Sequence, residues 1–434
     1  MKPSIRLAHV TTVDGTLRFI LLGQMRRLRE EGFDVTAISA RGPYAPDLEA
    51  EGITHIHWPH ATRAWDPISD ARAFVELLSI LRRGRFDIVH SHTPKPNIMG
   101  RIAGRLAGVP CVVNSVHGFY AMPEDHPFKR IPVLTLERIA ARFSDLELYD
   151  SAEDLDWARR TNLVKVSKSR FLGNGVDLKR FDPSTVPPHR LKALRSQLGI
   201  PKGSLVVGAV GRLVAEKGYR ELFAAARGVR RARPETRFVV LGSPDGEKAD
   251  AISDSELAEA EKNVIFTGWV DDVRDLLALM DVFILPSWRE GQPVSAIEAA
   301  AMAKPMILTD IRGCREIVSD GVNGLLVPAR NAGALEATVN RLLGDASLRS
   351  RLGQAARERA VKDFDEVKIV AGLISEYRKL LASRRTLSTR TGRRRLSSRK
   401  WVGGQGGDGD RGLRDAEATQ KGPSRGGSSV KASE

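Results

Sequence analysis

Short apolar runs alternate with longer segments of helical periodicity along most of the chain. In the first half the strand-like runs are "IRLAHV" (5–10), "DVTAIS", "THIHW", "FDIVHSH", "CVVNSV", "DLELYD" and "SRFLGN". The intervening segments with apolar residues at helical spacing are 15–32, 66–83, 97–108, 131–143 and 151–162. This alternation predicts βαβ units, and hence a mostly parallel sheet with helices on both faces.

The same rhythm restarts after a proline-rich segment, 181–190, which we interpret as a linker. The strand-like runs of the second half are "SLVVGAVGRL", "TRFVVLGS", "NVIFTG", "DVFILPS", "PMILTD" and "NGLLVP". We therefore predict two Rossmann-like, doubly wound α/β domains. Their expected bounds are 1–183 and 184–363, followed by an amphipathic helix over 364–382 that packs back toward the first domain.

The charge is unevenly distributed along the 434 residues, whose formal net charge is +15. Residues 383–434 hold 13 Lys and Arg against 5 Asp and Glu, a net of +8, which leaves +7 for the rest. Their Arg, Ser and Gly content predicts a disordered basic tail. A basic body is typical of a protein with an anionic partner, such as a nucleotide, a phospholipid surface or a nucleic acid.

The cysteines and the length of the apolar runs indicate the cellular compartment in which the protein is expected. Cys111 and Cys314 lack a CxxC or histidine partner, so we expect two free thiols in a reducing environment. The first residues lack the apolar core of a signal peptide, and no run approaches the roughly 18 apolar residues of a membrane span. A cytoplasmic protein that can still touch a membrane surface is expected.

Candidate chemistry lies in loops that follow strands, because ligands of open parallel sheets bind at the carboxyl ends of the strands. Arg212 and Lys217 stand in such a loop ahead of a helix and are suited to hold a diphosphate. In "PSWREGQPVSAIEAAAMAKP" the carboxylates of Glu290 and Glu298 frame a helix start near Pro293. They could accept from sugar hydroxyls, or simply be a helix dipole partner and an exposed helix residue.

Histidines follow strands of the first half. "HSHTPK" contains His90, His92 and Lys95, but no acidic or thiol ligand accompanies the histidine pair nearby, so no metal site is predicted. His117, before Gly118, is placed to offer a polar donor to a cleft. Gly15 either lets the first loop approach a ligand or is a plain turn glycine.

These motifs together resemble the retaining glycosyltransferases of family 4, which have the GT-B fold of two Rossmann-like domains facing across a cleft. "EGQPVSAIE" resembles the Glu-x7-Glu signature of that family. The chain also carries, in the family's order over residues 5–382, "SVHGF", "LGNGVDLKRFDP", "VGRLVAEKG", "TGWVDDV" and "DIRGCREIVSDGVNGLLVP". "SHTPKPNIMGRIAGRLAGVP" is similar to the subgroup that builds capsule, exopolysaccharide and lipid-linked oligosaccharide chains.

The resemblance implies a role for each site residue. Glu298 would bind the ribose of the donor nucleotide, Glu290 the donor hexose and His117 the transferred sugar. Arg212 and Lys217 would hold the departing diphosphate, while Gly15 would admit the diphosphate and acceptor. The donor site would also include Gly291, Gln292 and Val294. The "NGVD" turn, with Asn174, Gly175 and Asp177, would be structural at the domain junction.

One departure concerns the donor sugar. Many relatives have Glu-Gly-Phe-Gly where this chain has Glu290-Gly291-Gln292-Pro293, and proline offers no N–H. Gln292 would then reach the sugar instead. None of these motifs contains an Asp-x-Asp metal signature, so a metal-independent reaction without a cofactor is expected, with a nucleotide-diphosphate sugar as co-substrate.

The expected function is a retaining hexosyl- or N-acetylhexosaminyltransferase that uses a lipid-linked or oligosaccharide acceptor. Basic residues beside "IPVLTL" (Lys129 and Arg130) and on the first helix (Arg26, Arg27 and Arg29) would contact an anionic membrane. A sugar-nucleotide 2-epimerase of the same fold is an alternative. A nucleic-acid-binding protein is a second alternative, but the basic tail has one aromatic residue, Trp401, and no recognisable binding module.

Overall fold

Two parallel sheets form the framework of the described residues. The computed structural model describes residues 4–119, 121, 125–246, 248 and 250–399, and for residues 129 and 385–399 it describes the backbone alone. Both sheets belong to one compact unit that ends at Arg384. The predicted succession of two α/β halves is confirmed.

The first sheet has the strand order β3-β2-β1-β4-β5-β6-β7, and all of its described pairs are parallel. Its strands are β1 Ile5–Val13, β2 Phe33–Ala40, β3 Thr54–His57, β4 Ile88–Ser91, β5 Cys111–Val116, β6 Leu146–Tyr149 and β7 Ser169–Phe171. The central strands read as continuous apolar runs because helices cover both faces of the sheet. The strand order reverses between β1 and β4, which is where ligands bind in open α/β sheets.

The second sheet has the order β10-β9-β8-β11-β12-β13 and reverses between β8 and β11. Its strands are β8 Val206–Val210, β9 Arg237–Leu241, β10 Val264–Phe266, β11 Val282–Leu285, β12 Met306–Thr309 and β13 Leu325–Val327. Alternate residues of these strands point into two separate cores: Phe283 packs on one face and Ile284 on the other.

Helices cover both sheets. Those of the first half are α1 Asp14–Thr16, α2 Leu22–Glu30, α3 Ala45–Ala50, α4 Pro67–Gly84, α5 Pro94–Leu106, α6 Pro127–Ala140 and α7 Ala152–Arg160, and a π-helical turn Leu17–Leu21 joins α1 to α2. Those that follow are α8 Pro188–Gln197, α9 Tyr219–Ala232, α10 Asp254–Ala260, α11 Arg274–Leu279, α12 Val294–Ala301, α13 Cys314–Ile317, α14 Ala332–Gly344, α15 Ala346–Asp363 and α16 Glu366–Arg399.

Helix α4 illustrates how the sequence sets such elements. The Asp66 carboxylate accepts from the backbone N–H of Ile68, and Pro67 occupies the first helical position. Leu77 and Leu81 bury one face against the sheet. The chain leaves the helix at Arg85, which adopts the left-handed conformation with φ 46°.

The chain crosses between the two halves twice, and the two crossings lie side by side. Val176 N–H donates to the Phe364 carbonyl at 2.9 Å, and Glu366 N–H donates to the Val176 carbonyl at 3.1 Å. From there α16 packs on the first half, where Tyr377 is buried in its core. Gly175 is required here because a Cβ would meet the Glu366 backbone at 2.6 Å.

The segment 181–190 has more structure than the predicted linker. It contains a 3-10 turn, Pro183–Thr185, and the start of α8 at Pro188. Phe181 and Val186 are buried in the core of the second half, which anchors the segment to it. The final helix continues to Arg399, and residues 400–434, on which most of the predicted disorder falls, lie outside the described residues.

Candidate active site

The two halves meet at glycines that follow strands β5 and β11. A Cβ on Gly118 would lie 3.0 Å from the Gly291 Cα, and a Cβ on Gly291 would overlap the carbonyl oxygen of His117. Gly313 packs in the same way against the Gly291 carbonyl. Side chains at Gly118 or Gly291 would hold the halves apart, whereas the contact between Gly313 and Gly291 lies within the second half. Glycine thus allows a backbone-to-backbone contact between the halves beside His117 and Glu290.

Lys217 and Glu290 come together because their loops are tied to one another. The 3-10 turn Ala215–Lys217 ends at Gly218, whose φ of 75° favours glycine and which packs against the Pro286 carbonyl. The Trp288 N–H donates to the Glu216 carbonyl at 2.8 Å. As a result Lys217 Nζ lies 2.6 Å from Glu290 Oε1.

The Glu290 carboxylate is thus held in place before any ligand arrives. Ser287 Oγ donates to the same Oε1 at 2.7 Å. Both Lys217 and Glu290 have small exposed fractions, 19% and 8% of their side chains, so solvent screens their attraction less than it would on an open surface. The structure therefore brings together two of the residues that the sequence predicts for the donor site.

Arg212 has a different partner. Its NH1 donates to Asp245 Oδ2 at 2.6 Å, and Arg63, on the loop after β3, lies 3.5 Å from the same oxygen. Burial alone would raise the pKa of Asp245, but the hydrogen bond and the charge of Arg212 lower it below its usual value. Two guanidinium groups from the two halves therefore converge on one carboxylate at the edge of the cleft.

Glu298 occupies the middle of α12, behind the loop that carries Glu290. Its carboxylate makes no hydrogen bond or ion pair among the described residues. Burial raises the pKa of Glu298 to about 7, against the opposing charge of Arg180. Val294 is the first residue of this helix, preceded by Pro293, so its N–H belongs to the first turn that lacks intrahelical partners.

Gln292 and Gly15 have protein contacts of their own. The Gln292 carboxamide oxygen accepts from the Asn174 N–H, and the Asn174 side chain donates to the Gln292 carbonyl at 3.0 Å. In this structure the Gln292 side chain thus joins the two halves. Gly15 stands at the end of β1, where a Cβ would lie 3.6 Å from the Tyr44 ring.

A row of hydrogen-bonded imidazoles leads from the cleft into the first half. His117 Nδ1 lies 2.6 Å from Asp150 Oδ2 and His117 Nε2 lies 3.0 Å from His92 Nδ1. His92 Nε2 in turn lies 2.9 Å from His9 Nδ1. Burial lowers the pKa of His117, but the charge and hydrogen bond of Asp150 outweigh it and raise the pKa above its usual value.

The Asp150 carboxylate determines which ring nitrogens donate and which accept along this row. An ionised Asp150 only accepts, so His117 must donate from Nδ1, and in its neutral form its Nε2 accepts from His92. His92 then accepts from His9, which leaves His9 Nε2 as a lone pair without a described partner. Burial holds the pKa of His92 well below its usual value and lowers that of His9 to about 3, so both rings are neutral.

The other histidine of "HSH" and the nearby lysine serve the fold. His90 bonds Tyr377 OH at 2.6 Å and Ser115 Oγ at 2.8 Å. Its ring lies close enough to His9 and His92 that their nitrogens fall within 4.8 Å of one another, yet both of its nitrogens are engaged by these hydroxyls. Lys95 is buried and pairs with Asp70.

Three acidic or amide residues of the cleft were missed by sequence reasoning. Asp150 directly follows strand β6, so its place at a carboxyl end was a usable signal. Asp245 carried the same signal, because it lies in the loop after strand β9. Asn97 did not, because it lies inside α5.

Comparisons with known proteins follow the same division into halves. Residues 15–175 match the family model of the glycosyl transferase 4-like domain, and residues 192–359 match that of glycosyl transferases group 1. The UDP-Gal:alpha-D-GlcNAc-diphosphoundecaprenol alpha-1,3-galactosyltransferase of Escherichia coli is 30% identical over 373 residues, which cover 84% of this chain and 95% of that protein. The chain belongs to the family 4 glycosyltransferases.

A second relative agrees with this assignment, and a solved structure shows the same fold. The N,N'-diacetylbacillosaminyl-diphospho-undecaprenol alpha-1,3-N-acetylgalactosaminyltransferase of Campylobacter jejuni is 24% identical over 381 residues, which cover 87% of this chain and 99% of that protein. HepE of Anabaena, solved in complex with UDP, superimposes with a TM-score of 0.71 at 21% identity and covers 87% of this chain and 100% of its own. The GT-B fold predicted for this glycosyltransferase is confirmed.

The family assignment decides between the functions left open above. An enzyme that transfers sugars takes precedence over the epimerase and the nucleic-acid-binding alternatives. Among its described helices, this glycosyltransferase has none with both the length and the hydropathy required to cross a bilayer.

Proposed function

We propose that this glycosyltransferase moves a hexose-type sugar from a nucleotide-diphosphate donor to a hydroxyl of a lipid-diphosphate-linked sugar, with retention of anomeric configuration. The E. coli and C. jejuni relatives are named for acceptors linked to undecaprenol through a diphosphate, and HepE binds UDP. Capsule, exopolysaccharide or lipid-linked oligosaccharide synthesis would use such a transfer.

The observation that carries this proposal is the arrangement on the second half. Lys217 and Glu290 are paired at the exit of adjacent strands, and the Glu298 carboxylate makes no hydrogen bond or ion pair among the described residues. A nucleoside diphosphate sugar offers partners to all three: ribose hydroxyls for Glu298, sugar hydroxyls for Glu290 and the diphosphate for Lys217. Arg212 would exchange Asp245 for the same diphosphate.

In the proposed reaction the acceptor hydroxyl attacks the anomeric carbon while the bond to the diphosphate oxygen breaks. In a single displacement, retention requires both events on one face of the sugar, so the departing phosphate oxygen can take the hydroxyl proton. The cations stabilise the charge that develops on the diphosphate, and such stabilisation is worth more in a site closed to water. The contact between Gly118 and Gly291 would provide that closure.

We propose that the reaction needs neither cofactor nor divalent metal, because Lys217 and Arg212 supply the positive charge. The proposed location is the cytoplasmic face of the plasma membrane, reached by peripheral contact. Helix α6 supports this contact, since it exposes the apolar side chains of Phe128 and Ile131.

The decisive experiment is an assay with a panel of sugar nucleotides and a lipid-diphosphate-linked N-acetylglucosamine acceptor, run in EDTA. Transfer in EDTA, with the product linkage in the anomeric configuration of the donor by NMR, is the expected result. An inverted linkage would contradict retention, and a strict requirement for added metal would contradict the role given to the cations. Free epimerised sugar nucleotide without transfer would contradict the proposal as a whole.

A further inference from the structure

A cavity of about 170 Å³ opens beside His117, entirely within the first half. Its apolar walls come from Val116, Phe119, Val133 and Leu134. Polar groups reach it from Asn97 and Thr93 at the start of α5 and from Glu137 on α6. The Lys217–Glu290 pair and Glu298 belong to the second half, so the cavity lies on the side of the cleft that the proposed donor site leaves open.

Asn97 gives this cavity a defined polarity. The residue is buried, and its Nδ2 donates to the Ser115 carbonyl at 3.1 Å. A carbonyl can only accept, so the NH2 group must face Ser115, and the orientation of the carboxamide is fixed. Its Oδ1 has no hydrogen-bond partner among the described residues. Buried acceptors are rarely left in this state, and a ligand with an N–H would satisfy it.

The remaining polar groups of the cavity are already paired. Glu137 is bound by Arg101, whose guanidinium also holds Glu147 at 2.9 Å. His117 is engaged by Asp150 and His92. Among the described residues that line the cavity, Asn97 therefore brings a buried amide oxygen without a partner, next to apolar walls, and the charges of Glu137 and His117 are compensated.

We propose that this cavity binds the acetamido group of an N-acetylated acceptor sugar. The amide N–H of that group would donate to Asn97 Oδ1, and its methyl group would contact the apolar walls. The size is suitable, since cavities of roughly 150 Å³ hold a benzene-sized group. The inference rests on the proposed function for the place of the acceptor, and it adds which chemical group of the acceptor is recognised.

The test compares two lipid-diphosphate acceptors that differ only at C2 of the sugar, N-acetylglucosamine against glucose, with the donor found in the panel. We expect kcat/KM to be about tenfold or more higher for the N-acetylated acceptor. This is the discrimination that burial of a small apolar group together with one hydrogen bond typically provides. Val133→Phe, which narrows the cavity from α6, should remove that preference. Val322→Phe, at an exposed position of the second half, should retain it.

Equal kcat/KM values for the two acceptors in the wild-type enzyme would overturn the inference. So would a Val133→Phe variant that weakens both acceptors equally, which is the result expected if the lipid chain occupies the cavity. A binding measurement separates this inference from the proposed function. In saturation-transfer NMR with N-acetylglucosamine 1-phosphate, the acetamido methyl should receive the strongest saturation of the ligand protons. In the Val133→Phe variant the saturation of this methyl should be weaker than in the wild-type enzyme. No methyl saturation would contradict the inference, whatever the transfer assay shows.

Discussion

Lys217 Nζ lies 2.6 Å from Glu290 Oε1, and this ion pair joins the loop after β8 to the loop after β11. The two strands are neighbours in the sheet although more than sixty residues separate them in sequence. The pair places a cation and a carboxylate where the proposed donor carries its diphosphate and its sugar. Each residue therefore holds the other in position until the donor binds.

Removal of the cation should impair chemistry far more than folding. We expect Lys217→Ala to lower kcat by about 100-fold, because charge stabilisation of a leaving group typically supplies a few kcal/mol. Arg212→Ala should have a similar effect. Arg220→Ala, which removes a surface pair with Glu256 in the same half, is the matched control and should keep near-normal turnover. Full activity in both site variants would exclude them as the diphosphate clamp.

Much of this arrangement could be predicted from sequence, and the limits have physical causes. The thirteen strands of the described residues all follow from apolar runs, because parallel strands buried on both faces leave a strong signal. The place of Lys217 and Glu290 follows from the strand-exit rule. The role of Gln292 does not, because its partner Asn174 is 118 positions away and only the folded chain brings the two together. Nor could the sequence show that Arg26 and Arg27 of α2 are engaged in ion pairs with Glu51 and Glu366, because these partners are also distant in sequence.

The ionised form of Glu298 should lower the free energy of unfolding at the pH at which the enzyme functions. The pKa of Glu298 is raised from 4.5 to about 7 in the folded chain. The protonated side chain therefore favours the folded state, and this stabilisation is lost as the pH rises from about 4.5 to about 7. Glu298→Gln should therefore raise the melting temperature at pH 8 but change it little at pH 4.5. The same variant should weaken binding of the free nucleoside diphosphate about tenfold or more at pH 8, since ribose loses an ionised acceptor.

Calorimetry at both pH values checks both effects of Glu298. Glu256→Gln serves as the control, because the pKa of Glu256 is lowered to about 2 by Arg220 and Ser253 and the sign of its stability effect is opposite. Unchanged nucleotide affinity in Glu298→Gln would argue against a contact between Glu298 and ribose.

Asp150 should control the protonation of His117. Asp150→Asn keeps the shape of the side chain but removes the charge that raises the pKa of His117, so that pKa should fall below its wild-type value. The wild-type ion pair stabilises the fold below pH 6.5 and is lost as pH rises through the pKa of His117. We expect turnover to fall about tenfold or more, since the ring also loses its fixed tautomer.

NMR of the labelled imidazole rings reports the His117 titration directly. Asp156→Asn, an exposed change in α7, should leave both the titration and turnover unchanged. A His117 pKa that is the same in Asp150→Asn and wild type would show that Asp150 does not set its protonation.

The contact between Gly291 and His117 should be essential for closure. In Gly291→Ala the added Cβ overlaps the His117 carbonyl oxygen, so the halves must move apart. A displacement of about 1 Å can cost catalysis up to about 100-fold. We expect kcat to fall at least tenfold while each half stays folded. Gly372→Ala, in α16 with open space around the added Cβ, is the control and should retain full activity. Normal kcat in Gly291→Ala would mean that this contact is dispensable.

Membrane contact should depend on α6 rather than on the basic residues of α2. Arg26 is paired with Glu51 and Arg27 with Glu366. Because these guanidinium groups bind carboxylates of the protein, we do not expect them to make the main contact with lipid headgroups. On α6, by contrast, Phe128 is 87% exposed and Ile131 59% exposed, so "IPVLTL" lies partly at the surface. Side chains of this kind next to basic residues favour shallow insertion into an anionic leaflet.

We expect the double variant Phe128→Asp, Ile131→Asp to lose binding to anionic vesicles, because burial of each side chain is worth about 1.5–3 kcal/mol and the new carboxylates are repelled. Val322→Asp, an equally exposed apolar position of the second half, is the control and should still bind. Removal of residues 400–434 should leave part of the binding in place, and high salt should weaken what remains. Co-sedimentation at low and high salt measures all three. If the α6 variant sediments as wild type does while removal of the tail abolishes binding, the basic tail and not α6 makes the membrane contact.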